Sequence, residues 1–188
     1  EIIFQLAFWG YLLEDEEKMT QVSVLLGDMI GRHERDSLIN LLLYEPKNRA
    51  QKDILIKAMG FTDEDSSAMA ISLVKKMPLE RRDYALMEDM LRFKRSGLRR
   101  ELLDLLSSQT DQDMEDCLKR LLSDKKEEKR TGGLDLLLRL SKQEEKAVFF
   151  ERVKPLAALV EQPSDKENVL LAEILGEHPT LTAEKGFG

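Results

Sequence analysis

The chain has 188 residues, of which 42% are hydrophobic, 35% charged and only 6% aromatic. That composition suits one folded domain or one short run of repeats, and disfavours a β-sandwich or barrel, whose strands draw on β-branched and aromatic residues. A formal charge of −7 and a pI near 5.1 disfavour a general nucleic-acid binder, and the single Cys117 excludes an internal disulfide and a multi-cysteine metal site. An all-α protein in a reducing, cytoplasmic setting is the expectation.

The first segment runs from Glu1 through Phe4, Phe8 and Trp9 to Leu13. It falls short of the roughly 20 apolar residues of a membrane span and has no basic leading region, so neither a membrane segment nor a signal peptide is expected. It reads as an orphan helix over 1–13 whose packing partner lies upstream, as in a piece cut from a longer protein. Beyond it, apolar residues recur at helical spacing, as in Val22, Leu25, Leu26 and Met29, or Leu102, Leu105 and Leu106. Breaks fall at Pro46, Gly60, Pro78, Ser107 to Thr110 and Pro163. They divide the chain into five helical hairpins at about 16–44, 48–76, 80–108, 112–141 and 144–177, with boundaries good to roughly 2 to 4 residues. The tail 178–188 reads as an exit linker. Start signals support the divisions: Ser141 with Glu144 and Ser164 with Glu167 have capping-box spacing, and Asp63, Glu64 and Asp65 place carboxylates at a helix N-terminus.

A shift of about 32 residues brings the hairpins into register. Leu41, Leu73, Leu105 and Leu137 align, as do Leu38, Ala70, Leu102 and Leu134, and every position in both sets is apolar. One long amphipathic pattern imitates this by phase alone, so the breaks decide: Pro46 and Pro78 align, as do Asn48, Glu80, Gln112 and Glu144. A hairpin of this kind cannot bury its apolar face alone, and stacking the hairpins yields a right-handed α-solenoid covering 1–177.

The pattern resembles the HEAT and armadillo class of helical repeats over nearly the whole chain. The stretch from Leu121 to Arg130 followed by Leu134 to Leu138 is similar to a HEAT hairpin, with a charged turn and a Leu-rich second helix. The chain also looks similar to the repeat regions of large uncharacterised bacterial proteins. Tetratricopeptide repeats are close in length, but their Trp slot is not kept, since Trp9 is the only tryptophan.

Little in the chain points to catalysis. His33 and His178 are far apart, without companions at ligand spacing, and no metal site is expected. Asp111, Asp113 and Glu115 alternate as in a calcium loop, but Asp116 stands where the loop needs Gly, and helix capping accounts for them better. Cys117 lies beside an apolar stripe, sharing a slot with Ala85 and Phe149, and reads as a small buried hydrophobe. Gly132 and Gly133 read as a place of close helix contact, and no Gly-rich phosphate loop occurs. Neither an enzyme nor a cofactor is expected.

Two surfaces remain. Asn40, Ser72 and Asp104, with Lys75 and Arg139, are the polar positions that successive second helices offer a protein or peptide partner. That makes a non-catalytic interaction scaffold the leading expectation, as a segment of a larger protein with flanking repeats or domains. The alternative is a nucleic-acid or phosphate-binding module using Arg95, Arg99 and Arg100 at one turn and Lys129 and Arg130 at the equivalent turn one repeat later. Stacking would set those turns side by side.

Overall fold

Helix bounds in the computed structural model follow from local signals. The structure describes Trp9, residues 15–25, Asp36, Ile39, Asn40 and residues 43–176. The orphan helix apart from Trp9, most of the hairpin at 16–44 including Leu38 and Leu41, both histidines and the exit linker lie outside the described residues. Within them the protein is all-helical: α1 (Glu16–Leu25), α2 (Arg49–Ala58), α3 (Glu64–Val74), α4 (Arg81–Met90), α5 (Ser96–Leu106), α6 (Asp111–Leu122), α7 (Glu127–Ser141), α8 (Ala147–Val153) and α9 (Asp165–Leu175). The chain divides into two compact units between Leu106 and Ser107.

In the first unit, the Asn48 side chain accepts from the Gln51 N–H at the start of α2, and Asp63 accepts from the Ser66 N–H at the start of α3. Each satisfies an amide that the first helical turn leaves without a partner. At α4, Glu80 and Asp83 form a reciprocal capping box. Helix α2 packs on α1, α3 and α4, and α4 packs on α5. Leu55, Ile56, Met59, Ala70, Val74, Met87, Leu102 and Leu106 between them are wholly excluded from solvent. Leu73 and Leu105, which align in the sequence, are both buried.

In the second unit, Thr110 caps α6, with Asp111 and Asp113 in its first turn, and Ser164 with Glu167 forms the expected capping box of α9. Helix α7 packs on α6, α8 and α9. A Cβ on Gly133 would lie 2.9 Å from Leu122 Cδ2 and 3.1 Å from Leu121 Cβ, so the missing side chain is what lets α7 approach α6. Cys117 is fully buried in α6, as is Leu137 in α7, while Ala85 is exposed on α4.

Three local expectations are corrected. Ser141 does not cap a helix; it ends α7, and its hydroxyl donates to the Leu138 carbonyl. The next helical stretch begins as a 3-10 turn over Glu144–Lys146 with Gln143 at its cap. The hairpin at 144–177 is not a plain helix pair either, because α8 gives way to a 3-10 helix over Lys154–Leu159. Pro155 lacks an N–H and crowds the carbonyl four residues back, which an α-helix cannot tolerate. Spacing is also uneven: α4 begins 32 residues after α2, but α6 only 30 after α4. The link at 75–80, which contains Pro78, is two residues longer than the link at 107–110.

Candidate binding groove

Residues 64, 67, 68, 71 and 72 of α3, with Lys75 at its C-cap, recur at intervals of three and four and share one helix face. The opposite face, with Ala70, Leu73 and Val74, is buried. The first face forms one wall of a groove of about 820 Å³, and the other wall comes from the start of α5 and the turn before it. Ala68, Ile71 and Leu98 supply apolar surface, and Lys75, Lys76, Lys94, Arg95 and Arg100 supply positive charge. Five cations face two carboxylates, Glu64 and Glu101, an excess of three positive charges. Low-dielectric walls of one sign concentrate the field in such a cleft.

Several of these groups are held in place. Lys75 pairs with Glu101 across the groove, and Arg100 Nη2 lies 3.6 Å from Glu101 Oε1. Arg95 Nη1 donates to the Phe61 carbonyl, fixing the turn before α5 to the turn before α3. Lys76 forms no ion pair among the described residues.

The groove unites residues that the sequence assigned to two different surfaces: Ser72 and Lys75 from the partner-binding set, Arg95 and Arg100 from the phosphate set. Asn40 is exposed, Asp104 is exposed on α5, and Arg99 is half-buried on α5, all outside the groove lining. Arg139 is half-buried on α7 in the second unit.

Lys129 and Arg130, also in the second unit, are engaged with their own chain. Lys129 Nζ lies 3.4 Å from Asp124 Oδ2. Arg130 donates from Nε to Glu167 Oε1 at 2.8 Å, from Nη2 to Glu167 Oε2 at 3.1 Å, and from Nη1 to the carbonyls of Asp124 and Lys125. The hydrogen bonds to Glu167 raise the Arg130 pKa, outweighing the effect of burial. Burial pushes Glu167 up, but Arg130 and the Ser164 N–H hold its carboxyl below the ordinary 4.5.

Sequence reading missed the matching carboxylate of the first unit. Asp83, with no exposed side-chain surface, has Arg49 Nη2 at 2.5 Å and Lys52 Nζ at 2.7 Å, and accepts from the Glu80 N–H at 2.8 Å. Burial raises its pKa, while Lys52, the Glu80 amide and Arg49 together lower it below 3.8. Its position three residues after Glu80 was the available signal, since a capping box needs an acceptor there.

Compared with known protein families, residues 2–188 match a family of unknown function, DUF5724. The chain belongs to this family. Searches of curated proteins and of solved structures returned no match.

The DUF5724 description assigns no activity, so the site's chemistry rests on its residues. Among the described residues, no group of three or more His, Cys, Asp or Glu side chains is placed to hold a metal ion. No described helix is long and apolar enough to cross a membrane. The groove offers cations, hydroxyls and apolar surface, which suit recognition of a charged ligand by hydrogen bonds and ion pairs.

Proposed function

We propose that this DUF5724 chain is a non-catalytic protein-interaction scaffold, a right-handed solenoid of HEAT-like hairpins that takes its partner along successive second helices. The groove between α3 and α5 carries the reading: it holds Ser72 and Lys75, and its volume of about 820 Å³ falls in the usual range for ligand clefts. The repeat is supported by helix bounds in the first unit, where α2 and α3 recur 32 residues later as α4 and α5. Ion pairs follow the same order. Arg82 of α4 pairs with Asp53 of α2, and Lys75 beside α3 with Glu101 of α5; in the second unit Arg152 of α8 pairs with Glu115 of α6, and Lys142 beside α7 with Glu173 of α9. First helix joins first helix and second joins second, as stacking requires. A cytoplasmic setting belongs to the same proposal, in keeping with the single, buried Cys117.

A photo-reactive amino acid at Ser72 tests the reading. Cross-links to one protein should form there, bind the purified chain again on their own, and disappear when Gly97→Trp fills the groove. A Cβ on Gly97 meets nothing within 4 Å, so that side chain enters open space. Adducts no more frequent than from exposed Arg120 on α6 would overturn the proposal.

A second reading, nucleic-acid or phosphate binding, draws on Lys94, Arg95, Arg99 and Arg100 around one turn. The ring of Phe93 at that turn packs against Gly60 and under Arg92, which leaves it poorly placed to stack on a base. Labelled duplex titrated from about 50 mM salt upward distinguishes the readings, because log affinity should fall at roughly 0.9 per phosphate contact. Under this reading, Arg99→Glu with Arg100→Glu should abolish that binding.

A further inference from the structure

We infer that the groove between α3 and α5 selects an acidic, extended protein segment with one apolar side chain near its centre. This rests on the scaffold reading and adds the chemistry of the partner.

The groove reverses the sign of the chain around it. The whole protein carries −7, whereas this cleft holds three more cations than carboxylates. Glu101 shows how a carboxylate is received there, since Lys75 and Arg100 both approach it. Lys76, with no ion pair among the described residues, stands beside them for an incoming carboxylate. In the same lining, Ile71 provides a contact for one apolar side chain.

Length sets how much of an extended ligand the groove takes. The wall follows α3 from Glu64 to its end, roughly 16 Å at 1.5 Å per residue, which an extended segment of about five residues spans at 3.3 Å each. A nucleic acid would satisfy the cations yet find no aromatic ring in the lining on which to stack.

The test uses the 188-residue chain and fluorescein-labelled Glu-Asp-Glu-Leu-Asp-Glu, followed by anisotropy, beside its Gln/Asn counterpart and a labelled DNA duplex. The acidic peptide should bind at least about tenfold more tightly than the neutral one, and should weaken as salt shortens the Debye length. Lys76→Glu with Arg100→Glu, both at exposed positions, should reduce its affinity by about tenfold or more, and Gly97→Trp should block it. Equal binding of the two peptides, no binding of either, or acidic-peptide binding untouched by the double reversal overturns the inference. Neutral-peptide binding that Gly97→Trp blocks would overturn charge selection yet keep the scaffold. Duplex binding tighter than the peptide and lost in the double reversal would assign the groove to nucleic acid instead. Cross-linking at Ser72 judges the scaffold reading separately.

Discussion

Arg130 and Glu167, 37 residues apart in sequence, meet through two hydrogen bonds of 2.8 and 3.1 Å, with the carboxylate wholly buried. Glu167 is the third residue of α9 and accepts the Ser164 N–H as well, while Arg130 also satisfies two carbonyls of the turn before α7. One pair thus ties a turn and two helices together. In the first unit Asp83 fills the same role: the third residue of α4 accepts the Glu80 N–H and meets Arg49 and Lys52 of α2. In both, a capping-box carboxylate is neutralised by the α-helix two before it in the chain, so the helix start and the helix packing depend on one side chain.

Removing one partner leaves the other charge buried and unpaired. Arg130→Ala should therefore cost about 3 to 5 kcal/mol, whereas Arg130→Met with Glu167→Met should recover only part of that loss, because apolar groups escape the desolvation penalty but leave the Ser164 N–H and the turn carbonyls without these partners. Urea melts of the single and double variants check this. A double variant as unstable as Arg130→Ala would show that the site does not tolerate the repacking.

Acid should unfold the protein through the same groups. Asp83, Asp124 and Glu167 all have folded pKa values below their ordinary 3.8, 3.8 and 4.5. For a depressed carboxyl, the stabilisation is fully present above the unfolded value and is lost as pH falls through the folded one. Urea midpoints should hold above about pH 5 and decline below about pH 4, and Glu167→Gln should lessen the decline. A midpoint that rises on acidification would contradict the sign.

Gly133→Ala should destabilise the second unit by about 1 to 3 kcal/mol, the usual range for overpacking a close contact. Its new methyl meets Leu122 Cγ at 3.0 Å and Leu121 Cβ at 3.1 Å, neither of them a free side-chain end. Gly97→Ala, in open space near the start of α5, should instead stabilise by about 0.4 to 1 kcal/mol through the unfolded chain. Thermal melts of the two alanine variants should move in opposite directions.

Leu105→Ala should cost about 2 to 5 kcal/mol, since the side chain is 7% exposed and its removal leaves a cavity. Val169→Ala, at 68% exposed on α9, should stay within about 0.5 kcal/mol. A loss below that figure for Leu105→Ala in urea would contradict its burial.

Helix ends were legible because capping is a contact within one turn: Asn48, Asp63 and the Ser164–Glu167 box could be placed without knowing any neighbour. The buried faces carrying Leu73, Leu105 and Leu137 were legible for the same reason, since a helix of 3.6 residues per turn turns apolar periodicity into a stripe. Pro155 was in plain view, yet the passage from α8 into the 3-10 helix over Lys154–Leu159 was missed where apolar spacing was followed over the missing N–H. What tertiary structure alone decided was the employment of the charges. Arg100 and Arg130 look alike in sequence, each in a basic turn; one lines an open groove and the other is bound to Glu167. Periodicity tells which face a residue occupies, but an ion pair depends on which helix lies opposite and at what depth, and those are set only when the helices pack.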